Sequence, residues 1–305
     1  MKKVILFVIL LALLFATGAG RIQADTDYSF EYSITSSDEE WKDFKTKADM
    51  LKAIKIPDEE LKKMPTKELI SAVFCFPFLV DIHLYDSYDL AIKAFEDECD
   101  AYRELMSRTD AIEELSNYVD QVDKDSLNFM TGNVLLNSNQ LSASKQHCIK
   151  QLSSSFLVVY PIYGTVYTPN GSSVDVIELE DYSQQILNDI DAEVIQTYPQ
   201  ATFVSSSTRK YNCHSYAWYS SSTSNHWWMN NPSAYMNDGS YTRVYKAIQA
   251  TRVYFPNGNH SMKIYDAYAN PLSYATVISK WGSGPVMIHN PYYSPYTTTG
   301  YSMWY

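Results

Sequence analysis

The feature that most constrains this chain is a change of hydrophobic period near residue 156. From Glu39 to about Leu152, apolar residues recur at three-and-four spacing, which predicts helices. Pro57-Asp58-Glu59-Glu60 opens one helix with an acidic first turn, and Thr66 is expected to cap another that stops at Pro77. Leu90, Ala91, Ala94, Phe95, Tyr102, Leu105 and Met106 predict a helix across Asp86 to Met106, and Ile112, Leu115, Tyr118 and Val119 predict another across Asp110 to Val122. His83 lies among apolar residues and reads as structural. Beyond Phe156 the pattern alternates. Phe156 to Tyr160 reads as a strand, and Pro169-Asn170-Gly171 joins Gly164–Tyr167 to Val174–Ile177 as a β-hairpin. Tyr182 to Thr197 forms a helix stopped by Pro199. Expected strands follow at Thr251 to Phe255, Ser261 to Tyr265, Ala275 to Ser279 and Pro285 to His289. Helices first and an antiparallel sheet afterwards define an α+β chain.

Residues 1–24 read as a signal peptide: Lys2 and Lys3, the apolar run Val4 to Phe15, then small residues up to Ala24. That run is too short to span a bilayer comfortably, and no second segment is apolar enough to do so. The expected division is an acidic all-helical domain at 25–152, a hairpin and helix at 153–204, and a last domain at 205–305. The expected location is extracellular or cell-wall associated. The formal net charge of -11 argues against a nucleic-acid partner. The acid is concentrated in the helical part, which is a candidate surface for a protein partner. From Ala201 onward there are seven Lys or Arg and only Asp238 and Asp266 as acids. The cysteines are Cys75, Cys99, Cys148 and Cys213. If Cys213 is chemically engaged, at most one disulfide is left for the others.

Cys213 opens a short helix in Tyr211-Asn212-Cys213-His214-Ser215-Tyr216-Ala217-Trp218. Backbone N–H groups at a helix start stabilise a thiolate. His214 is a poor base for it, because adjacent helical side chains diverge by about 100°. His260 follows the turn Pro256-Asn257-Gly258-Asn259 and opens a strand, so it is the expected base and later acid. The oxyanion donors are expected from the Cys213 N–H and from either Tyr211 or Asn212. Trp218, Trp227, Trp228 and Trp281 are candidate cleft walls, although at least two of them are expected in the core. Neither H-E-x-x-H nor paired C-x-x-C spacing is present, so no metal or other cofactor is expected. Glu178, Glu180 and Asp181 read as surface acids and a helix cap.

Cys213-His214-Ser215-Tyr216-Ala217-Trp218 resembles the cysteine motif of CHAP amidases, members of the papain-like NlpC/P60 group of cell-wall hydrolases. Ala250–Phe255, His260-Ser261-Met262 and Val277–Trp281 resemble the strands that follow it in that group, so the likeness covers roughly 206–292. The resemblance implies a helix-borne thiolate beside an antiparallel sheet, a histidine at His260 and peptidoglycan amides as substrate. At the third position the group carries an acid where this chain has Lys280. NlpC/P60 relatives use a second histidine, which maps onto His289, with Asn290 as the substitute. The expected function is a secreted cysteine amidase or endopeptidase of peptidoglycan. The alternatives are a catalytically degenerate cell-surface binding protein and a bacteriocin-like secreted toxin.

Overall fold

A computed structural model describes residues 29–143 and 162–305. The expected signal peptide, Cys148 and the expected strand at Phe156 to Tyr160 lie outside the described residues. The helical half contains α1 (Lys47–Ala53), α2 (Asp58–Leu61), α3 (Thr66–Phe74), a 3-10 turn at Leu79–His83, α4 (Tyr88–Glu98), α5 (Asp100–Met106), α6 (Ala111–Gln121) and α7 (Leu127–Ala143). Thr46 caps α1 by accepting the Asp49 N–H at 3.2 Å. Pro65 occupies the flanking position of α3, so Thr66 sits inside the first turn and its hydroxyl donates to Asp110 at 2.9 Å. The helix expected across Asp86 to Met106 starts two residues later and breaks at Cys99, whose ψ of 97° is extended. Among the described residues, no helix is long and apolar enough to cross a membrane.

The second half begins with the hairpin β1 (Ile162–Tyr167) and β2 (Ser173–Glu178), followed by α8 (Gln184–Thr197). The remaining strands are β3 (Thr202–Ser205), β4 (Arg243–Val244), β5 (Arg252–Phe255), β6 (His260–Ala267), β7 (Ala275–Lys280), β8 (Val286–His289) and β9 (Ser302–Trp304), with a short helix α9 (Ser233–Asn237) before β4. They form one seven-stranded sheet in the order β3-β8-β7-β6-β5-β9-β4, with every neighbouring pair antiparallel. Register assigns the faces. Phe255 pairs with His260, Val253 with Met262, and Val277 with His289. These residues share one face, and Tyr254, Ser261, Lys263, Ile278 and Lys280 lie on the other.

The expected boundaries near residues 152 and 204 do not separate two cores. Trp281, Met287, Tyr293 and Tyr296 belong to the same buried cluster as Trp41, Leu69, Phe78 and Tyr198. A buried polar network reinforces that junction. Lys47 Nζ lies 2.8 Å from Asp81 and 2.7 Å from Glu98 and donates to Pro295 O at 3.1 Å, while Tyr198 donates to Asp81 at 2.7 Å. Burial disfavours the Lys47 ammonium, but the Asp81 and Glu98 carboxylates together outweigh it and hold the group above the usual lysine range.

His83 and Leu84 are tied to the C-terminal half by two hydrogen bonds. Tyr296 donates its hydroxyl to Leu84 O at 2.6 Å, and the Ser283 N–H donates to His83 O at 3.3 Å. Gly282 has φ +48°, and a Cβ there would lie 2.2 Å from Leu84 O. Gly282→Ala is therefore expected to cost more than about 1 kcal/mol, read as a lower urea midpoint. An unchanged midpoint would show that the turn yields freely.

Candidate functional site

The site begins at Asn212, which acts as a helix cap by accepting the Ser215 N–H on Oδ1 at 3.1 Å. Cys213 and His214 form the opening helical residues, and Ser215–Tyr219 continues as a π-helical turn in which the Ser220 N–H reaches Ser215 O. The turn is pinned to the sheet by Trp218, whose Nε1 donates to Ser261 Oγ at 2.8 Å. This places Cys213 where chain segment 259–261 enters β6. Its sulfur lies 3.9 Å from Asn259 O.

Asp86 covers the sulfur. It comes from the loop before α4, 127 residues earlier, and its Oδ2 is 3.6 Å from Cys213 Sγ. The same oxygen accepts Asn212 Nδ2 at 3.0 Å and lies 3.4 Å from His214 Nε2. His214 Nδ1 pairs with Ser261 Oγ at 2.8 Å, and its Nε2 faces Asn259 Oδ1 at 3.2 Å. The thiol is 0 % exposed. The backbone N–H groups of Ser261 and His214 favour a thiolate, but burial and the Asp86 carboxylate outweigh them and push the thiol up. Burial raises Asp86 to about 7, against hydrogen bonds from Cys213 and Asn212 that favour the carboxylate. Burial lowers His214 to about 4, so the imidazole is neutral at physiological pH.

The residues singled out in the sequence are distributed differently from that expectation. His260 sits on the opposite sheet face from Ser261, stacked on the Tyr296 ring at 3.6 Å with 14° between planes. Both of its ring nitrogens are buried without a hydrogen-bond partner, so it makes no hydrogen bond to Cys213. The cause is strand alternation: one residue along β6 separates the two faces, and Ser261 meets the cysteine-bearing turn. Burial holds the His260 imidazole well below its ordinary range.

His289 does not orient His260. Its Nδ1 donates to Asn290 O at 2.8 Å and its Nε2 lies 2.8 Å from Ser279 Oγ, with Trp281 Nε1 at 3.3 Å. Asn290 turns toward Ser273 O at 2.9 Å. Lys280 is a clamp. Its ammonium donates to Thr208 O at 2.9 Å and Gly282 O at 2.6 Å, and also to Gly284 O. Burial lowers it to about 7, while three carbonyls match its three N–H groups.

Tyr211 packs against Tyr216 and Val286, and the hydrogen-bond partners of the sulfur are Asp86 and Asn259 instead. The Asn212 amide is already committed to Asp86 and to Met229 O, at 3.0 and 2.7 Å, so it orients the carboxylate and has no hydrogen left for an oxyanion. Trp281 and Trp218 are core residues, and Trp227 packs over Gly164. Trp228 lines a cleft of about 460 Å³ together with His83, Asp86, Tyr88, Tyr182, Arg209 and Asn259. Arg209 leans over the Tyr182 ring at 5.1 Å. Asp181 caps the Thr208–Arg209 loop, accepting from Thr208 Oγ1 and the Arg209 N–H at 2.7 Å each.

Asp86 is the functional candidate that sequence reasoning missed. Its one local signal was an acid just before a helix, which reads as ordinary dipole complementation. Among the described residues, Cys99 and Cys213 are buried free thiols. Comparisons with protein-family models, curated proteins and solved structures find no match to this chain.

Proposed function

We propose that the chain is a secreted cysteine amidase or endopeptidase acting on peptidoglycan amides, with Cys213 as nucleophile. The observation that carries this reading is the sulfur's position at a helix mouth. Two backbone N–H groups point at it, and it lies directly behind Asp86 and Asn259 in the wall of an open cleft. The resemblance of the Cys213–Trp218 motif to CHAP amidases supports the same chemistry and supplies the substrate class.

In this reading Asp86 performs the proton transfers that the resemblance assigns to His260, because Asp86 is the group that meets the thiol. The thiol proton passes to the Asp86 carboxylate as sulfur attacks the amide carbonyl carbon. The tetrahedral oxyanion collapses, the C–N bond breaks, and the departing amine takes the proton from Asp86. Water then attacks the thioester and gives a proton to Asp86, the C–S bond breaks to release the carboxylic acid, and the sulfur takes the proton back from Asp86. Asp86 and Asn259 must part for a substrate carbonyl to reach the sulfur.

Digestion of purified peptidoglycan tests the proposal. The wild-type chain is expected to release new amines, Cys213→Ala to release none, and Asp86→Asn to be slower by at least about 10²-fold. Loss of activity in His260→Gln with retention in Asp86→Asn would return the proton transfers to the imidazole. Amine release that persists in Cys213→Ala would end the cysteine-hydrolase reading.

The covered sulfur favours one second reading, a cell-surface binding protein that uses the cleft around Arg209 and Tyr182. No released amine and no iodoacetamide modification of Cys213 would support it.

A further inference from the structure

We infer that Asp86, Cys213 and His214 form a binding site for Zn²⁺ or a similar soft divalent cation. The inference does not depend on Cys213 acting as a nucleophile. The three donor atoms lie within 4.8 Å of one another. For a tetrahedral zinc ion with ordinary bond lengths, the sulfur–oxygen edge is about 3.6 Å and the nitrogen–oxygen edge about 3.4 Å. The observed separations are 3.6 Å from Sγ to Asp86 Oδ2 and 3.4 Å from His214 Nε2 to the same oxygen. The apo side chains therefore already stand at zinc-ligand spacing on those two edges.

Charge favours the same occupant. A thiolate and a carboxylate buried together repel each other, and a neutral imidazole does nothing to relieve them. A divalent cation neutralises both, so the assembled centre carries no net charge into the buried site. Binding replaces the thiol proton, which leaves to solvent, so one proton is released per ion from Cys213. Neighbouring groups orient the donors. Asn212 Nδ2 donates to Asp86 Oδ2 at 3.0 Å, and Ser261 Oγ fixes the far side of the His214 ring at 2.8 Å. Asp86 and Asn259 border the 460 Å³ cleft, so an ion entering from the cleft meets the Asp86 carboxylate first. Sequence spacing does not reveal the site, because Asp86 is 127 residues from Cys213.

Titration of the full chain with Co²⁺ tests the inference. One equivalent is expected to produce the near-ultraviolet thiolate-to-cobalt absorption and the strong visible bands of a four-coordinate ion, and added Zn²⁺ should erase both. Cys213→Ser should abolish the near-ultraviolet band. Asp86→Asn and His214→Gln should each weaken binding at least about tenfold, whereas Cys75→Ser should leave it unchanged. Far-ultraviolet circular dichroism identifies any variant that has unfolded, and the remaining ligand variants then decide the outcome. The site is disproved if wild-type protein shows no band, or if the band survives Cys213→Ser. Peptidoglycan digestion in chelator reads the hydrolase proposal separately: amine release without a cobalt band refutes the metal site alone, and a cobalt band without amine release refutes the hydrolase alone.

Discussion

Trp281→Ala is expected to lower stability by about 3–5 kcal/mol and to melt helices and sheet in one step. Trp281 is 0 % exposed and lies within the cluster that contains Trp41, Phe78 and Tyr198 of the helical and linking parts. Its ring meets Tyr198 edge-on at 5.0 Å and His289 at 5.1 Å, and its Nε1 donates to Ser279 Oγ at 3.1 Å. Removing it opens a cavity at the junction and strips a donor from Ser279. The loss is a large share of the roughly 5–15 kcal/mol that stabilises a folded domain. Urea unfolding followed by far- and near-ultraviolet circular dichroism measures it. Coincident transitions with a lowered midpoint are expected. Loss of the near-ultraviolet signal while the helices persist would show that the halves fold separately.

His83→Gln is expected to change the acid sensitivity of the fold. Burial lowers the His83 imidazole to about 3. Thr131 donates its hydroxyl to Leu127 O at 2.9 Å and so must accept from His83 Nε2 at 2.7 Å. That fixes the proton on Nε2 and leaves Nδ1 buried with no partner. Protonating Nδ1 would place a second donor there with nothing to receive it. The groups facing His83 are the Thr131 hydroxyl, the Tyr88 ring at 6.3 Å, and Asp86 and Arg209 across the cleft. A folded-state value below the unfolded value means the contribution is complete above the ordinary imidazole range and is lost as pH falls toward 3. Between about pH 6.5 and 5 the wild type should lose about 2 kcal/mol relative to His83→Gln. Urea midpoints of both proteins at pH 7, 6 and 5 measure this difference. Parallel pH profiles would show that the site accepts the charge.

The same locality that made parts of the fold legible limited the reading of the site. The hairpin around Pro169-Asn170-Gly171 is read from turn chemistry, and it appears with β1 and β2 paired from Ile162 to Glu178. The helix stopped by Pro199 appears as α8, and the expected strands appear as β5 to β8 with ends shifted by one or two residues. The break at Cys99 was not legible, because the apolar spacing continues through it. At the site, the helix start at Cys213 was read from its own neighbours. The facing of His260 was not, since a shift of one residue along a strand reverses which side chain meets the turn. His214, set aside because adjacent helical side chains diverge, is drawn to Asp86 by Asn259 and Ser261, both far away in the chain.

By itself, the sequence determined the two periodicities, the order of helices and strands, and a cysteine at a helix mouth. Each of these depends on residues a few positions apart, whose preferences act over one turn or one pleat. Only the tertiary structure decided that Asp86 lies over the sulfur, that His260 faces Tyr296, that Lys280 clamps three carbonyls, and that one core spans both halves. Those outcomes depend on sheet register and on closing loops of up to more than a hundred residues, and short-range pattern carries no record of either.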